Sequence, residues 1–579
     1  MDKTEIIKRQ RNERQQCLDD ILKSSAPKKL IVAGAGTGKT FTFGQLLKKK
    51  VGGNNLAMTF IRRLVGDMGA ELCDCAEIKT FHAYCKKILH ERNGSVELIP
   101  YLTKIIEKDS EILEEGLNNF DTKFRTLDEK STEVDFYLRR GDYYEVVGFD
   151  DSVYRLYKLL QKNHAILPSF TQIVIDEFQD FNLLEVAFIE ELRKKGPILI
   201  VGDDDQAVYD GRSASPVHLR DLYKSGEFTV FELPFCSRCP EVIVNTTNAV
   251  IKRAHVLGHL QGRINKRYEC YIEAKEKDSI KYPKVIVSRC STSKVIPKYI
   301  ENEIAKIDAD DIAESHKKGK EYPTVLIVGQ RQYLREVEKK LRIKYPTLLY
   351  SPSIEVEYGL IEAYKQLLTN EKSNLGWRIL MEIDLDRQEQ KEILAASLKG
   401  SAMVDLLDPD YIATHLKAIG IIREIKNKEP LSPAAKKTLR SVVGQNFDSL
   451  INYFNKSEEE TLPEVDIIKP SILLTSFVGC KGLSAGHVFI IGANNGSIPK
   501  NADCIEDLEI SQFIVALTRA RKQCHIVSNQ WLISPKDSKG KWQQQYEKSY
   551  FVTWIPPELI EDRGDFKASD FKRIVLSKS

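Results

Sequence analysis

A chain of 579 residues, 42% of them hydrophobic and 29% charged, is too long for one core and too apolar for a disordered polymer, so about three to four compact units are expected. Its 86 basic and 83 acidic residues leave a net charge of +3, which excludes a uniformly basic nucleic-acid binder and confines any such groove to a local patch. Residues 1–14 lack the apolar centre of a secretory signal, no apolar run approaches the ~18 residues of a membrane helix, and the eleven cysteines are scattered; the expectation is an intracellular, cytoplasmic protein with free thiols and no membrane partner.

Residues 1 to about 29 read as a helix that leads into a first strand at 30–33. From there to about residue 230, β-branched strands alternate with amphipathic helices, the pattern of a parallel sheet covered on both faces. Residues 95–165 interrupt that pattern; they are rich in charge and tyrosine, and 154–160 has helical periodicity. A second α/β region starts near residue 231, with strands predicted at 285–288, 324–328, 472–475 and 488–491. A mostly helical stretch at 346–465 splits it. The expected fold class is α/β, with two parallel-sheet domains (1–94 plus 166–230, and 231–345 plus 466–579), each carrying a mostly helical insertion (95–165 and 346–465). The tail after Arg521 is too short for another large domain.

Residues 33–40, Ala-Gly-Ala-Gly-Thr-Gly-Lys-Thr, join the first strand to a helix. Gly34, Gly36 and Gly38 permit a tight turn whose amides can surround phosphate oxygens, and the helix N-terminus behind them favours negative charge. Lys39 is expected on the β- and γ-phosphates of ATP, and Thr40 on its Mg²⁺. Ala33 stands where the usual G-x-x-x-x-G-K-[ST] pattern has its first glycine. Asp176 and Glu177 end an apolar strand, the edge at which parallel sheets present ligand sites. There Asp176 suits Mg²⁺, usually through water, and Glu177 suits the task of orienting or deprotonating an attacking water.

A second strand ends in Gly202-Asp203-Asp204-Asp205-Gln206. Three consecutive aspartates repel one another if all are buried, so some of them are expected to face solvent or basic partners. Gln206 can touch a γ-phosphate without adding charge. Cys236 and Cys239 have metal-ligand spacing, but no second pair completes a site, so free thiols are expected there, as at Cys73 and Cys75.

The runs AGAGTGKT, IVIDEFQD and VGDDDQAVYDGR, in this order, resemble the superfamily 1 DNA helicases of the UvrD/Rep type. Residues 12–15, ending in Gln15, resemble the motif whose glutamine reads adenine. Residues 58–60 and 79–84 resemble two single-strand-binding motifs, and 237–240 the motif that brings an arginine to the γ-phosphate. Residues 480–483 and 515–520 resemble the last two motifs, so the resemblance spans about 15–521. It implies two RecA-like domains with ATP and Mg²⁺ between them, and Arg238 and Arg519 reaching the phosphates from the second domain. It also implies DNA-binding roles for Phe60, Thr80, His82 and Tyr209; aromatic faces suit a sliding strand because every base can stack on them.

Four positions depart from the family pattern. Ser237 replaces an adenine-stacking tyrosine, Gly211 a DNA-stacking tryptophan, Val478 a histidine and Ser484 a glutamate. The hydrolysis set is complete while the DNA-tracking set is thinned. The function implied is an ATP-dependent DNA translocase or helicase on single-stranded or forked DNA, moving 3′ to 5′. The alternative is a DNA-activated ATPase switch that regulates a partner, such as a nuclease subunit, in repair or anti-phage defence.

Overall fold

The computed structural model describes residues 2–59, 72, 74–93, 96–317, 319, 321–351, 357–455, 469–532 and 545–571. Its first sheet has six strands: β1 (Lys28–Val32), β2 (Asn55–Thr59), β3 (Glu77–Thr80), β4 (Gln172–Ile175), β5 (Ile198–Gly202) and β6 (Thr229–Glu232), in the order β3-β2-β4-β5-β1-β6. Every pairing is parallel. Strands β1, β4 and β5 are short runs of Leu, Ile and Val because both faces of the sheet are covered, so no polar alternation is needed.

The strand order brings the C-terminal ends of β1, β5 and β4 side by side. Chain order alone does not give this adjacency. The chain leaves β1 for β2, with two strands between them, and the reversal opens a crevice at the carboxyl edge. The first helix, α1, spans Lys3–Lys23 and ends short of the predicted residue 29. Strand β6 runs to Glu232, past residue 230 where the first domain was expected to end.

The second sheet has seven strands: β7 (Val285–Thr292), β8 (Val325–Val328), β9 (Leu349–Ser351), β10 (Ile472–Thr475), β11 (Ala485–Ile491), β12 (Ala520–Trp531) and β13 (Ile560–Phe566), in the order β9-β10-β8-β11-β12-β7-β13. These pairings are also parallel. Strands β9, β12 and β13 were not predicted. In β12 the polar residues Lys522, Gln523 and His525 are buried, which hides the strand from a hydrophobicity pattern. Lys522 is tolerated there because Asp311 and Glu314 receive it at 2.6 and 2.7 Å.

The two insertions, far apart in sequence, share one apolar core: Ile105 and Tyr137 of the first belong to the same cluster as Trp377, Leu380 and Leu394 of the second. Asp109, fully buried, joins them. Its carboxylate accepts from Arg140 Nε at 2.9 Å within the first insertion and from Arg378 Nε at 2.5 Å in the second.

Candidate active site

The phosphate loop turns at two positive-φ glycines, Gly36 (φ 70°) and Gly38 (φ 94°), and Gly38 opens helix α2 (Lys39–Lys48). A side chain at Gly36 has no room, because its Cβ would collide with that of Arg238. At Gly34 a Cβ would lie 2.5 Å from the Tyr268 ring. The second domain therefore presses directly on the loop, and glycine is required there for close approach as well as for the turn. Lys39 Nζ donates to the carbonyls of Ala33 and Gly34 at 3.1 and 3.4 Å.

A cavity of about 300 Å³ opens over this loop. Lys39, Thr40, Glu177 and Gln206 from the first domain line one side of it, and Arg238, Arg519 and Arg521 from the second line the other. Asp176 is buried at the end of β4, and one of its oxygens accepts from the Glu177 amide at 3.0 Å. Burial first, and then the neighbouring Glu177 charge, push the Asp176 carboxyl up to about 7. Burial acts on Glu177 in the same sense, but Lys39, Lys481 and the hydrogen bond from Gln179 at 2.6 Å outweigh it and hold Glu177 below the usual carboxylate range. Glu177 sits at φ 55°, a strained backbone for this residue type, of the kind that persists where the surroundings over-determine it.

Gln206 is clamped at both ends of its amide. Nε2 donates to Asp203, and Oε1 accepts from Arg519 Nη2 at 2.9 Å. Arg519 is 2% exposed and is fixed by the carbonyls of Val515 (2.8 Å) and Leu483 (3.1 Å). Burial, followed by the nearby Arg238, lowers its guanidinium to about 10, so it stays charged at neutral pH.

All three aspartates of the second acidic run are buried, and their partners are basic side chains rather than solvent. Lys266 lies 2.9, 2.6 and 2.8 Å from Asp203, Asp204 and Asp205. Arg220 adds to Asp204, and Arg263 binds Asp205 through two nitrogens. This buried cluster holds Asp203, and Asp203 in turn orients Gln206.

Sequence reasoning missed three basic groups. Lys266 and Arg263 lie about 60 residues from their partners in no recognised motif. Arg521 follows the last motif by one residue, in the run Thr-Arg-Ala-Arg. Lys481, quoted in a motif but given no role, donates to the Gln206 carbonyl at 2.5 Å, pairs with Asp180, and covers the Tyr209 ring at 5.5 Å. It ties the second domain to both acidic runs.

The remaining expected residues lie elsewhere. Gln15 is exposed on α1 and lines a neighbouring cavity. Thr80 ends β3, where its hydroxyl accepts from the Ala83 amide at 3.3 Å. His82 packs edge-on to Phe149 at 5.0 Å and faces a separate cavity with Arg125 and Arg212. Tyr209 is half-buried against the second domain, and Phe60 lies outside the described residues. Cys236 and Cys239 are buried free thiols, Cys75 is a free thiol, and Cys73 also falls outside the described residues.

A AAA domain model matches residues 19–212, which hold both acidic runs and the phosphate loop. DNA helicase II of Haemophilus influenzae is 26% identical over 275 residues, covering 38% of each chain. The ATP-dependent DNA helicase Rep of Buchnera aphidicola is 26% identical over 370, covering 54% of each. The chain is UvrD/Rep-like. The ATP-dependent DNA helicase PcrA of Bacillus subtilis is 21% identical across 93% of this chain and 85% of its own. The first two alignments reach only about a third to a half of those relatives. The matches agree with nucleotide binding at the glycine-rich loop. No helix among the described residues is long and apolar enough to cross a membrane.

Proposed function

We propose that the chain is an ATP-dependent DNA translocase or helicase that works on single-stranded or forked DNA, moving 3′ to 5′. The hydrogen bond from Arg519 to Gln206 carries this reading, because it joins the two domains across the phosphate cavity. A γ-phosphate bound there meets Lys39 from below and arginines from above, so its presence or loss changes how strongly the domains are drawn together. Glu177, ionised and held beside Lys481, orients the attacking water and takes its proton. Arg519 and Arg238 stabilise the charge that develops on the transferred phosphoryl group.

The Thr40 hydroxyl and the Asp176 carboxylate are hard oxygen donors that fit Mg²⁺. Such an ion supplies charge neutralisation to the phosphates. Asp176 suits it because a nearby dication offsets the burial that raises its carboxyl. Removing magnesium with a chelator is expected to abolish hydrolysis, read as phosphate release.

Gly211 has open space around its Cα rather than an aromatic platform, which favours weak unwinding by the isolated chain. It also supports a second reading, a DNA-activated ATPase that regulates a nuclease or other partner. ATPase rates with no nucleic acid, single-stranded DNA, forked duplex, blunt duplex and RNA separate the two. Stimulation by single strands and forks supports translocation, and stimulation by blunt ends alone supports the switch. No hydrolysis under any condition sinks both. Alongside ATPase activity, strand displacement is expected to stop short of kilobase lengths; kilobase unwinding by the protein alone contradicts this.

A further inference from the structure

Cys236 and Cys239 flank Ser237 and Arg238, and both cysteines are fully buried. The stretch between them bears directly on the phosphate loop. The Ser237 amide donates to the Gly36 carbonyl at 3.0 Å, and Arg238 lines the phosphate cavity. A Cβ at Gly36 would collide with that of Arg238 and lie 3.2 Å from the Cys236 sulfur. One end of the stretch is the short strand Phe235–Cys236, paired in parallel with Glu269–Cys270. The other end runs through Cys239 to Pro240, the N-cap of helix Glu241–Val256. Both ends are therefore fixed, and a change at the sulfurs is passed to Ser237 and Arg238.

The two sulfurs have unequal surroundings. The Cys239 amide donates to Cys236 Sγ at 3.4 Å, and the Tyr268 hydroxyl lies 3.5 Å from it. That amide folds the four residues into a turn, which sets Cys239 Sγ within hydrogen-bond reach of Cys236 Sγ. On its other side the Cys239 thiol meets the Thr518 carbonyl at 3.3 Å, next to Arg519. Burial raises the Cys236 thiol, but hydrogen bonding by Cys239, Tyr268 and two backbone amides outweighs it and holds the thiol below its ordinary range. Burial, and then the hydrogen bond and charge of Cys236, push Cys239 well the other way. An ionised sulfur beside a protonated one is the arrangement of an attacking and a resolving thiol. Cys270, the register partner of Cys236, turns its thiol instead to the Cys239 carbonyl at 3.7 Å.

We infer that Cys236 and Cys239 close to a reversible disulfide under peroxide, and that closing it draws Arg238 out of the phosphate cavity. The Cys236 thiolate attacks one oxygen of hydrogen peroxide; an S–O bond forms, the O–O bond breaks and hydroxide leaves. The Cys239 sulfur then displaces the oxygen of the resulting sulfenic acid. An S–S bond forms, the S–O bond breaks, and the Cys239 proton departs with that hydroxyl as water. Two electrons pass from the sulfurs to the peroxide, and a dithiol reductant returns them. Because both sulfurs are buried, a small neutral oxidant suits them better than a bulky disulfide. The bond brings the sulfurs to about 2.05 Å, well inside their non-bonded contact, so the turn tightens under Ser237 and Arg238. It also consumes the Cys239 proton and takes that donor from the Thr518 carbonyl beside Arg519.

The inference rests on the nucleotide reading of the cavity, and its test does not need hydrolysis. The full chain is treated with hydrogen peroxide, the remaining thiols are alkylated, and linkages are mapped by mass spectrometry. Binding of a non-hydrolysable ATP analogue is measured by calorimetry before oxidation, after it, and after reduction with dithiothreitol. We expect a Cys236–Cys239 linkage and an analogue affinity lower by about tenfold, the scale of one charge-assisted hydrogen bond, recovered on reduction. The reversible loss should vanish in Cys239→Ser and persist in Cys270→Ser, each compared with its own untreated protein. The inference is overturned by free Cys236 and Cys239 after peroxide, by a linkage through Cys270, or by a linked chain that binds the analogue as the reduced one does. A reversible loss of affinity in a chain that never hydrolyses ATP keeps the inference and removes the proposed function. Unchanged affinity in a linked chain that does hydrolyse ATP does the reverse, and a reduced chain that binds no analogue removes both.

Discussion

Arg519→Ala is expected to lower the ATP turnover rate about 10³-fold or more, the scale at which an arginine acts on a transferring phosphoryl group. In the structure this side chain does three things. It lines the phosphate cavity, it holds Gln206, and its other nitrogens tie it to the carbonyls of Val515 and Leu483. Alanine removes the charge and takes a donor from the Leu483 carbonyl, while Val515 keeps the Thr518 hydroxyl, so lost stability is a second cause to separate. Arg519→Lys separates the two causes. It keeps a positive charge and most of the volume but loses the planar fork that reaches Gln206 and a phosphate together. Turnover should still fall about 100-fold or more in Arg519→Lys, with nucleotide binding by calorimetry and the melting temperature close to wild type. Hydrolysis within threefold of wild type in either variant would refute the assignment.

The second large effect belongs to stability. Asp109→Ala leaves Arg140 and Arg378 without their shared carboxylate in a site where both are 1% exposed or less. Breaking a buried ion pair by removing one partner costs about 3–5 kcal/mol, because a charge stays buried and uncompensated. The loss should appear as a lower melting temperature and as faster proteolysis of the insertions, whose core continues into the first sheet. Replacing all three groups together, Asp109→Leu with Arg140→Met and Arg378→Met, should recover most of the stability, since the fully buried charges go together and Glu382, which loses Arg378, keeps Lys108. A single mutant that melts like the wild type would show that the carboxylate does not hold the insertions together.

How legible this molecule was follows from where the information sits. The phosphate loop could be read because its chemistry is local: three glycines, a lysine and a threonine within eight residues demand one backbone shape. The placing of Asp176, Glu177 and Gln206 just past strand ends could be read because the stops of apolar strands are visible in a sequence. Strand β12 escaped because Lys522, Gln523 and His525 look exposed until Asp311 and Glu314 supply partners from other elements. The aspartate run was half legible. Mutual repulsion required partners, but nothing within the run could name Lys266, Arg263 and Arg220.

By itself, then, the sequence determined which groups stand at each strand end: a glycine-rich turn with a lysine, a carboxylate pair and a neutral glutamine. These depend on residue type and on a few bonds of local backbone. Only the tertiary structure decided what those groups face. Strand order put the two acidic runs beside the phosphate loop, and the second domain brought Arg519, Arg521 and Lys481 onto them. The shared core of the two insertions was decided at the same level. Contacts between residues hundreds of positions apart are set by how whole surfaces pack, and a local pattern carries no record of the surface it will meet.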